Sequence, residues 1–96
     1  MIEVNISCSE AREKVQAGAQ LVDVRMPHEF MMGALPEASN LPLQYFHAAD
    51  EHLDRDRPVI LYCNSGARSH QAMSYLRSRG YGEVYNLGSF MNYMQC

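Results

Sequence analysis

Two rhythms of apolar and polar residues alternate along this chain, and the switches between them lay out its elements. Glu3-Val4-Asn5-Ile6 alternates with period two and predicts a short first strand. Ser7-Cys8-Ser9-Glu10 matches a capping box, after which Cys8, Ala11 and Val15 share one helix face until Gly18. Leu21–Val24 predicts a second strand, and Pro27 opens a short helical turn through Met31 that Gly33 stops. Ser39-Asn40-Leu41 reads as a brief third strand, and Gln44 to Leu53 as a helix. Pro58-Val59-Ile60-Leu61-Tyr62 is apolar throughout, as a central buried strand should be. A helix from about Ser69 to Arg79 follows, with Ala72, Met73 and Leu76 as its inward stripe and Gly80 as its stop. Glu83–Leu87 predicts the last strand, ahead of a short terminal helix. Strands alternating with helices imply an α/β fold: a small, mostly parallel sheet of about five strands, with helices on both faces. Ligands of such folds sit at the carboxyl ends of the strands. Residues 1–96 are enough chain for one domain and no second lobe.

Cys63 lies at such a strand end. It begins the run Cys63-Asn64-Ser65-Gly66-Ala67-Arg68-Ser69, a short loop that opens the next helix. A thiol in that position meets unpaired backbone N–H groups and the positive end of a helix dipole. Both favour the thiolate, the nucleophilic form of sulfur. The spacing is Cys-x4-Arg, whereas cysteine phosphatases and their arsenate-reducing relatives use Cys-x5-Arg to wrap a tetrahedral oxyanion. The shorter loop suits one extra sulfur atom on Cys63 better than a phosphoryl group. Gly66 supplies the backbone freedom that so tight a loop requires. Arg68 at a helix start opposes the dipole, so a negative partner is expected beside it: the sulfur, an incoming anion or a carboxylate.

Composition removes several other classes of function. With 47% hydrophobic and 20% charged residues the chain is ordinary for a globular protein, and no apolar run approaches the roughly 18 residues of a membrane span. A net charge of −3 without a basic stripe argues against nucleic-acid binding. The start, Met1-Ile2-Glu3-Val4-Asn5, has no basic and apolar signal regions. Cysteines at only 8, 63 and 96 predict no disulfide framework, so a reducing cytoplasm is the expected compartment. On this view Cys8 packs in the core and Cys96 is a mobile terminal residue. His28, His47 and His52 lack metal-ligand spacing, which disfavours a zinc site. Met26, Met31, Met32, Met73, Met91 and Met94 are expected to fill the core or the mouth of a site.

Four stretches, in order over most of the chain, resemble the rhodanese (sulfurtransferase) family. Leu21-Val22-Asp23-Val24-Arg25 is similar to that family's early Asp-Val-Arg strand. Pro27-His28-Glu29-Phe30 and the following Gly33-Ala34-Leu35-Pro36-Glu37-Ala38-Ser39-Asn40-Leu41-Pro42 are similar to its Pro-x-Glu-Phe and Gly-His-Ile-Pro-Gly-Ala-x-Asn-Ile-Pro stretch. The loop from Cys63 to Ser69 resembles the family's active-site loop, and Val84-Tyr85-Asn86-Leu87-Gly88 its last strand and closing turn. Departures are also present: Ala34 stands for the usual His, Glu37 for a Gly, Ser89-Phe90 for a Gly pair, and Tyr93 near a Trp.

The resemblance implies a sulfurtransferase that moves a sulfane sulfur from a small donor such as thiosulfate through a Cys63 persulfide. The acceptor would be cyanide, a small thiol or a protein thiol, and no metal or organic cofactor enters. Asn64, Ser65, Gly66, Ala67, Arg68 and Ser69 would bind substrate through backbone N–H groups. Neutral Asn64 and Ser65 leave Arg68 and the helix end to attract an anion, which predicts a weak response to thiosulfate. Asp23 and Arg25 are expected to form a structural ion pair, Glu29 to hold the loop after Arg25, and His70 to lie on the polar rim. Two alternatives stand beside this reading: a non-enzymatic persulfide carrier or protein-binding module, and a small cysteine phosphatase or arsenate reductase.

Overall fold

The five apolar residues Val59–Cys63 form the centre of the sheet, and every one of them is buried. In the computed structural model, which describes residues 2–96, the elements run α1 (Cys8–Gln16), β1 (Gln20–Asp23), α2 (Pro27–Met31) and β2 (Ser39–Asn40). A 3-10 helix (Leu43–Glu51) precedes β3 (Val59–Cys63), α3 (Ala67–Ser78), β4 (Val84–Ser89) and α4 (Phe90–Tyr93). The sheet order is β2-β1-β3-β4 and all three pairings are parallel. Among the described residues no helix is long and apolar enough to cross a membrane.

Period-two alternation along β3 decides where the cysteine points. Val59, Leu61 and Cys63 pack with Ala72, Met73 and Leu76 of α3 and with Phe46 and Ala49 of the 3-10 helix. Ile60 and Tyr62 face the opposite layer, against Ala11 and Val15 of α1 and Tyr93 of α4. Burial of Met73 and Leu76 stabilises the first layer by about 1.5–3 kcal/mol each. The sulfur of Cys63 is thus delivered to the face that carries the start of α3.

Helix boundaries follow the local chemistry. The capping box of α1 is formed in both directions, with Glu10 N–H donating to Ser7 Oγ (3.1 Å) and Ser7 N–H donating to Glu10 Oε1 (3.0 Å). Helix α3 begins two residues earlier than the apolar stripe predicts, at Ala67 directly after Gly66.

Three expectations are corrected. Among the described residues four strands are present rather than about five, because the segment before α1 does not enter the ladder. It keeps a backbone bond to β4, Asn5 N–H to the Asn86 carbonyl (3.2 Å), but side chains take the neighbouring positions: Asn86 N–H donates to Asn5 Oδ1 (2.8 Å) and Asn86 Nδ2 donates to the Glu3 carbonyl (2.7 Å). The helix expected from Gln44 to Leu53 is a 3-10 helix with a kink at Ala48. Its inward residues Leu43, Phe46 and Ala49 repeat every three positions, the period of that tighter helix. Cys8 and Cys96 are joined by a disulfide with 6.0 Å between their Cα atoms, leaving Cys63 as the free cysteine. Packing of α1 on α4 brings the two together: Arg12 Nη2 donates to the Tyr93 carbonyl (2.6 Å), and its guanidinium lies over the Tyr93 ring.

Met73 is the methionine in the core; Met31, Met32, Met91 and Met94 are exposed. Glu37 occupies the left-handed region with φ 71°, a conformation that glycine adopts without steric cost. Its side chain is exposed, so relief of that strain dominates any substitution. Glu37→Gly is expected to raise stability by about 0.5–1 kcal/mol, read as a higher urea midpoint, despite the added freedom of the unfolded chain. A lower midpoint would mean that the carboxylate itself stabilises the turn.

Candidate active site

Cys63 is the last residue of β3, and its side chain is 0% exposed beneath the first turn of α3. Burial alone pushes a thiol up, since it penalises the charged form. Here the opposing groups win: the Ser69 hydroxyl and the backbone N–H groups of Ser69, Gly66 and Ser65 together bring the thiol below its ordinary value. Gly66 N–H donates to Sγ at 3.0 Å, and Ser69 Oγ lies 3.4 Å from it. Those of Gly66 and Ser69 are free because the first turn of a helix has no intrahelical acceptors.

Gly66 is required twice over. Its φ is +97°, and a Cβ there would stand 3.1 Å from Gly88 Cα and 3.3 Å from Ile2 Cγ2. Gly88 approaches because β4 carries a bulge, with Leu61 opposite Asn86 and Tyr62 opposite Gly88, so that Leu87 is the extra residue. Asn86 then fastens the loop to the sheet. Its Nδ2 donates to the Gly66 carbonyl (3.2 Å), while its Oδ1 accepts from Gly88 N–H (2.9 Å).

Two ion pairs frame the other side of the loop. Arg25 donates from Nη2 (2.7 Å) and Nε (3.0 Å) to the buried carboxylate of Asp23, and from Nη1 to Asn64 Oδ1 (3.1 Å). The parallel register sets Asp23 beside Tyr62, one position before the cysteine. Glu29 accepts from both ends of the Arg68 guanidinium (2.7 and 3.0 Å) and from Asn64 Nδ2 (2.8 Å). The negative partner expected for Arg68 is therefore a carboxylate from α2. Asn64 is held between the two pairs, donating to one and accepting from the other. His70 sits behind the loop, where its Nδ1 accepts from Glu3 N–H (3.1 Å).

Beside Asn64 lies an open groove of about 430 Å³, whose apolar wall is made by Met32, Leu35, Pro36, Phe90 and Met94. Ala34 also lines it.

The family model described as the rhodanese-like domain matches residues 7–96. The chain belongs to the rhodanese-like domain family. A sulfurtransferase from Allochromatium vinosum is 46% identical over 67 residues, covering 70% of this chain and 63% of that protein. Thiosulfate sulfurtransferase GlpE of Ectopseudomonas mendocina is 37% identical over 82 residues, covering 85% and 75%. A rhodanese-related protein from Thermoplasma volcanium superposes with a TM-score of 0.82 at 25% identity, covering 97% of this chain and 92% of that one. The chain spans less than two thirds of the first curated relatives it matches.

Within this rhodanese-like domain the structure brings together every residue picked from the sequence: the loop from Cys63 to Ser69 and the supporting Asp23, Arg25 and Glu29. Sequence reasoning missed Asn86 as a loop anchor. A buried amide in an otherwise apolar strand was the available signal, since such a group needs partners.

Glu29 makes the frame sensitive to acid. The Arg68 guanidinium, with help from Met26 N–H, holds its carboxyl down to about 2. A depressed folded value means that the stabilisation is complete above the ordinary carboxylate range and is lost as pH falls toward that value. Glu29→Gln is expected to cost about 1–2 kcal/mol at neutral pH, between the exposed and buried extremes for such pairs. The gap to the native chain should close as pH falls from about 5 to about 2, followed by urea unfolding at each pH. A gap that stayed constant would show that the charge on Glu29 contributes nothing.

Proposed function

We propose that this chain is a single-domain sulfurtransferase working through a persulfide on Cys63. The observation that carries the reading is a buried thiol held toward its anionic form by a hydroxyl and three loop N–H groups, with no cation among the described residues hydrogen-bonded to it. The Cys63 thiolate attacks the outer sulfur of a sulfane donor such as thiosulfate. An S–S bond forms to Cys63, the donor's own S–S bond breaks, and sulfite leaves with the electron pair. The terminal sulfur of the persulfide carries the charge, within reach of the loop N–H groups. An acceptor (cyanide, a small thiol or a protein thiol) then attacks that terminal sulfur, and the Cys63 thiolate is regenerated. Both steps are substitutions at sulfur, so no external oxidant, reductant or metal is needed, and ping-pong kinetics follow. The names of the Allochromatium and Ectopseudomonas relatives support sulfur transfer as the class of reaction.

Arg68 is committed to Glu29 and Arg25 to Asp23, so the frame presents no unpaired guanidinium to a dianion. This supports thiosulfate as a weak donor. The apolar groove beside Asn64 supports a second reading, a persulfide carrier that hands its sulfur to a thiol on a docked protein. A phosphatase is disfavoured, because three phosphoryl oxygens need more donors than a loop closed around one sulfur offers.

Incubation with thiosulfate should add one sulfur to the intact mass of the native chain, and cyanide should remove it as thiocyanate. Cys63→Ser should abolish both, because a hydroxyl cannot form the persulfide. Cys96→Ser should keep most of the activity while lowering stability by about 2–4 kcal/mol through loss of the bridge. Sulfur-free protein combined with Cys63-dependent hydrolysis of an aryl phosphate would move the chain to the phosphatase class.

A reducing cytoplasm belongs with this reading, while the Cys8–Cys96 bridge is the observation that favours an oxidising compartment. Alkylation at the moment of cell lysis decides between them by mass. Three blocked thiols are the cytoplasmic result, and one blocked thiol, at Cys63, is the oxidising one.

A further inference from the structure

Ser69 lies on the inward stripe of α3 with Ala72, Met73 and Leu76, and like them it is fully buried. Packing alone does not call for a hydroxyl there, since an alanine would suit the same stripe. A buried hydroxyl is costly unless it is hydrogen-bonded, and a helical serine commonly returns it to the carbonyl four residues back. This one turns instead to Sγ of Cys63 at 3.4 Å, its one protein partner among the described residues. A thiolate has no hydrogen to give, so against the anionic sulfur Ser69 must be the donor.

The sulfur carries different charge at different stages of the proposed reaction, on which this inference rests. In the resting enzyme the charge is on Sγ. After charging, it sits on the outer sulfur, and Sγ becomes a neutral, weakly accepting atom. When an acceptor attacks, the S–S electron pair returns to Sγ and the full charge reappears beside the Ser69 hydroxyl. We infer that Ser69 is a catalytic residue of the discharge step, the donor that stabilises Cys63 as the leaving thiolate.

The contact therefore acts with opposite sign in the two half-reactions. During discharge it is stronger in the transition state than in the persulfide, which accelerates that step. During charging the charge leaves Sγ, so the same bond restrains the nucleophile. A residue that merely shaped the loop would slow both steps together.

Single-turnover measurements on Ser69→Ala separate the two, with thiosulfate as donor, cyanide as acceptor and quenched intact mass as readout. Above the thiol's titration range, charging should be unchanged or faster, while discharge should fall by roughly tenfold, the worth of one charge-assisted hydrogen bond. Ser69→Thr keeps the hydroxyl and should retain the native ratio of discharge to charging; it carries the comparison if the alanine variant does not fold. Equal slowing of both steps in Ser69→Ala, or a native ratio, would overturn the inference, as would a tenfold loss of that ratio in Ser69→Thr. A second arm is independent of sulfur transfer. The pH midpoint for iodoacetamide alkylation of Cys63 should move upward in Ser69→Ala, and an unmoved midpoint overturns the contact itself. If the native chain takes no sulfur from any sulfane donor, the sulfurtransferase reading and the discharge role fall together, while the alkylation arm still reports on the Ser69 contact.

Discussion

A thiolate formed at the end of β3 loses its water, and it persists only where the protein replaces the hydrogen bonds that water gave. For Cys63 the replacements are the Ser69 hydroxyl and the N–H groups of Ser65, Gly66 and Ser69. All of them belong to one short turn, so the position of that turn sets the chemistry of the sulfur. The neighbouring features can be understood as fixing it. Gly66 admits the left-handed backbone, Asn86 ties its carbonyl to β4, and Asn64 is gripped by Arg25 on one side and Glu29 on the other.

Charge is arranged around the sulfur in cancelling pairs. Asp23 with Arg25 is buried and multiply bonded, and Glu29 with Arg68 is partly exposed and bidentate. Removing one partner of a buried pair strands the other, so each pair works as a rigid strut rather than as a free charge. The field at Sγ then comes mainly from neutral dipoles of the loop and helix start. In the proposed reaction, dipoles fixed in place need no reorganisation when charge moves between the inner and outer sulfur.

Much of this was legible in the sequence, for identifiable reasons. The apolar run Val59–Tyr62 and the stripe of α3 follow from burial, which the pattern records directly. Cys63, Gly66 and Arg68 were visible because each is an unusual residue type for the position it occupies. The Glu29 partner of Arg68 could be expected in kind, as something negative near a helix start, while its identity needed the tertiary fold. The first segment failed as a strand because, beside one backbone bond, the Asn5 and Asn86 side chains take over the pairing, a competition that alternation cannot express. The 3-10 helix was hidden because spacings of three and of 3.6 coincide over so few turns. The disulfide was out of reach, since no local pattern tells that residues 88 apart will meet.

The bridge also changes what the chain is as a mechanical object. Between Cys8 and Cys96 the polypeptide is a closed covalent loop that contains β1 to β4 and the loop from Cys63 to Ser69. Tension applied through those two residues runs across the sulfur–sulfur bond and does not load β3 or the Cys63 turn. A single proteolytic cut in the exposed Asp54–Arg57 turn likewise leaves one molecule, with its two pieces still tethered beside the sheet.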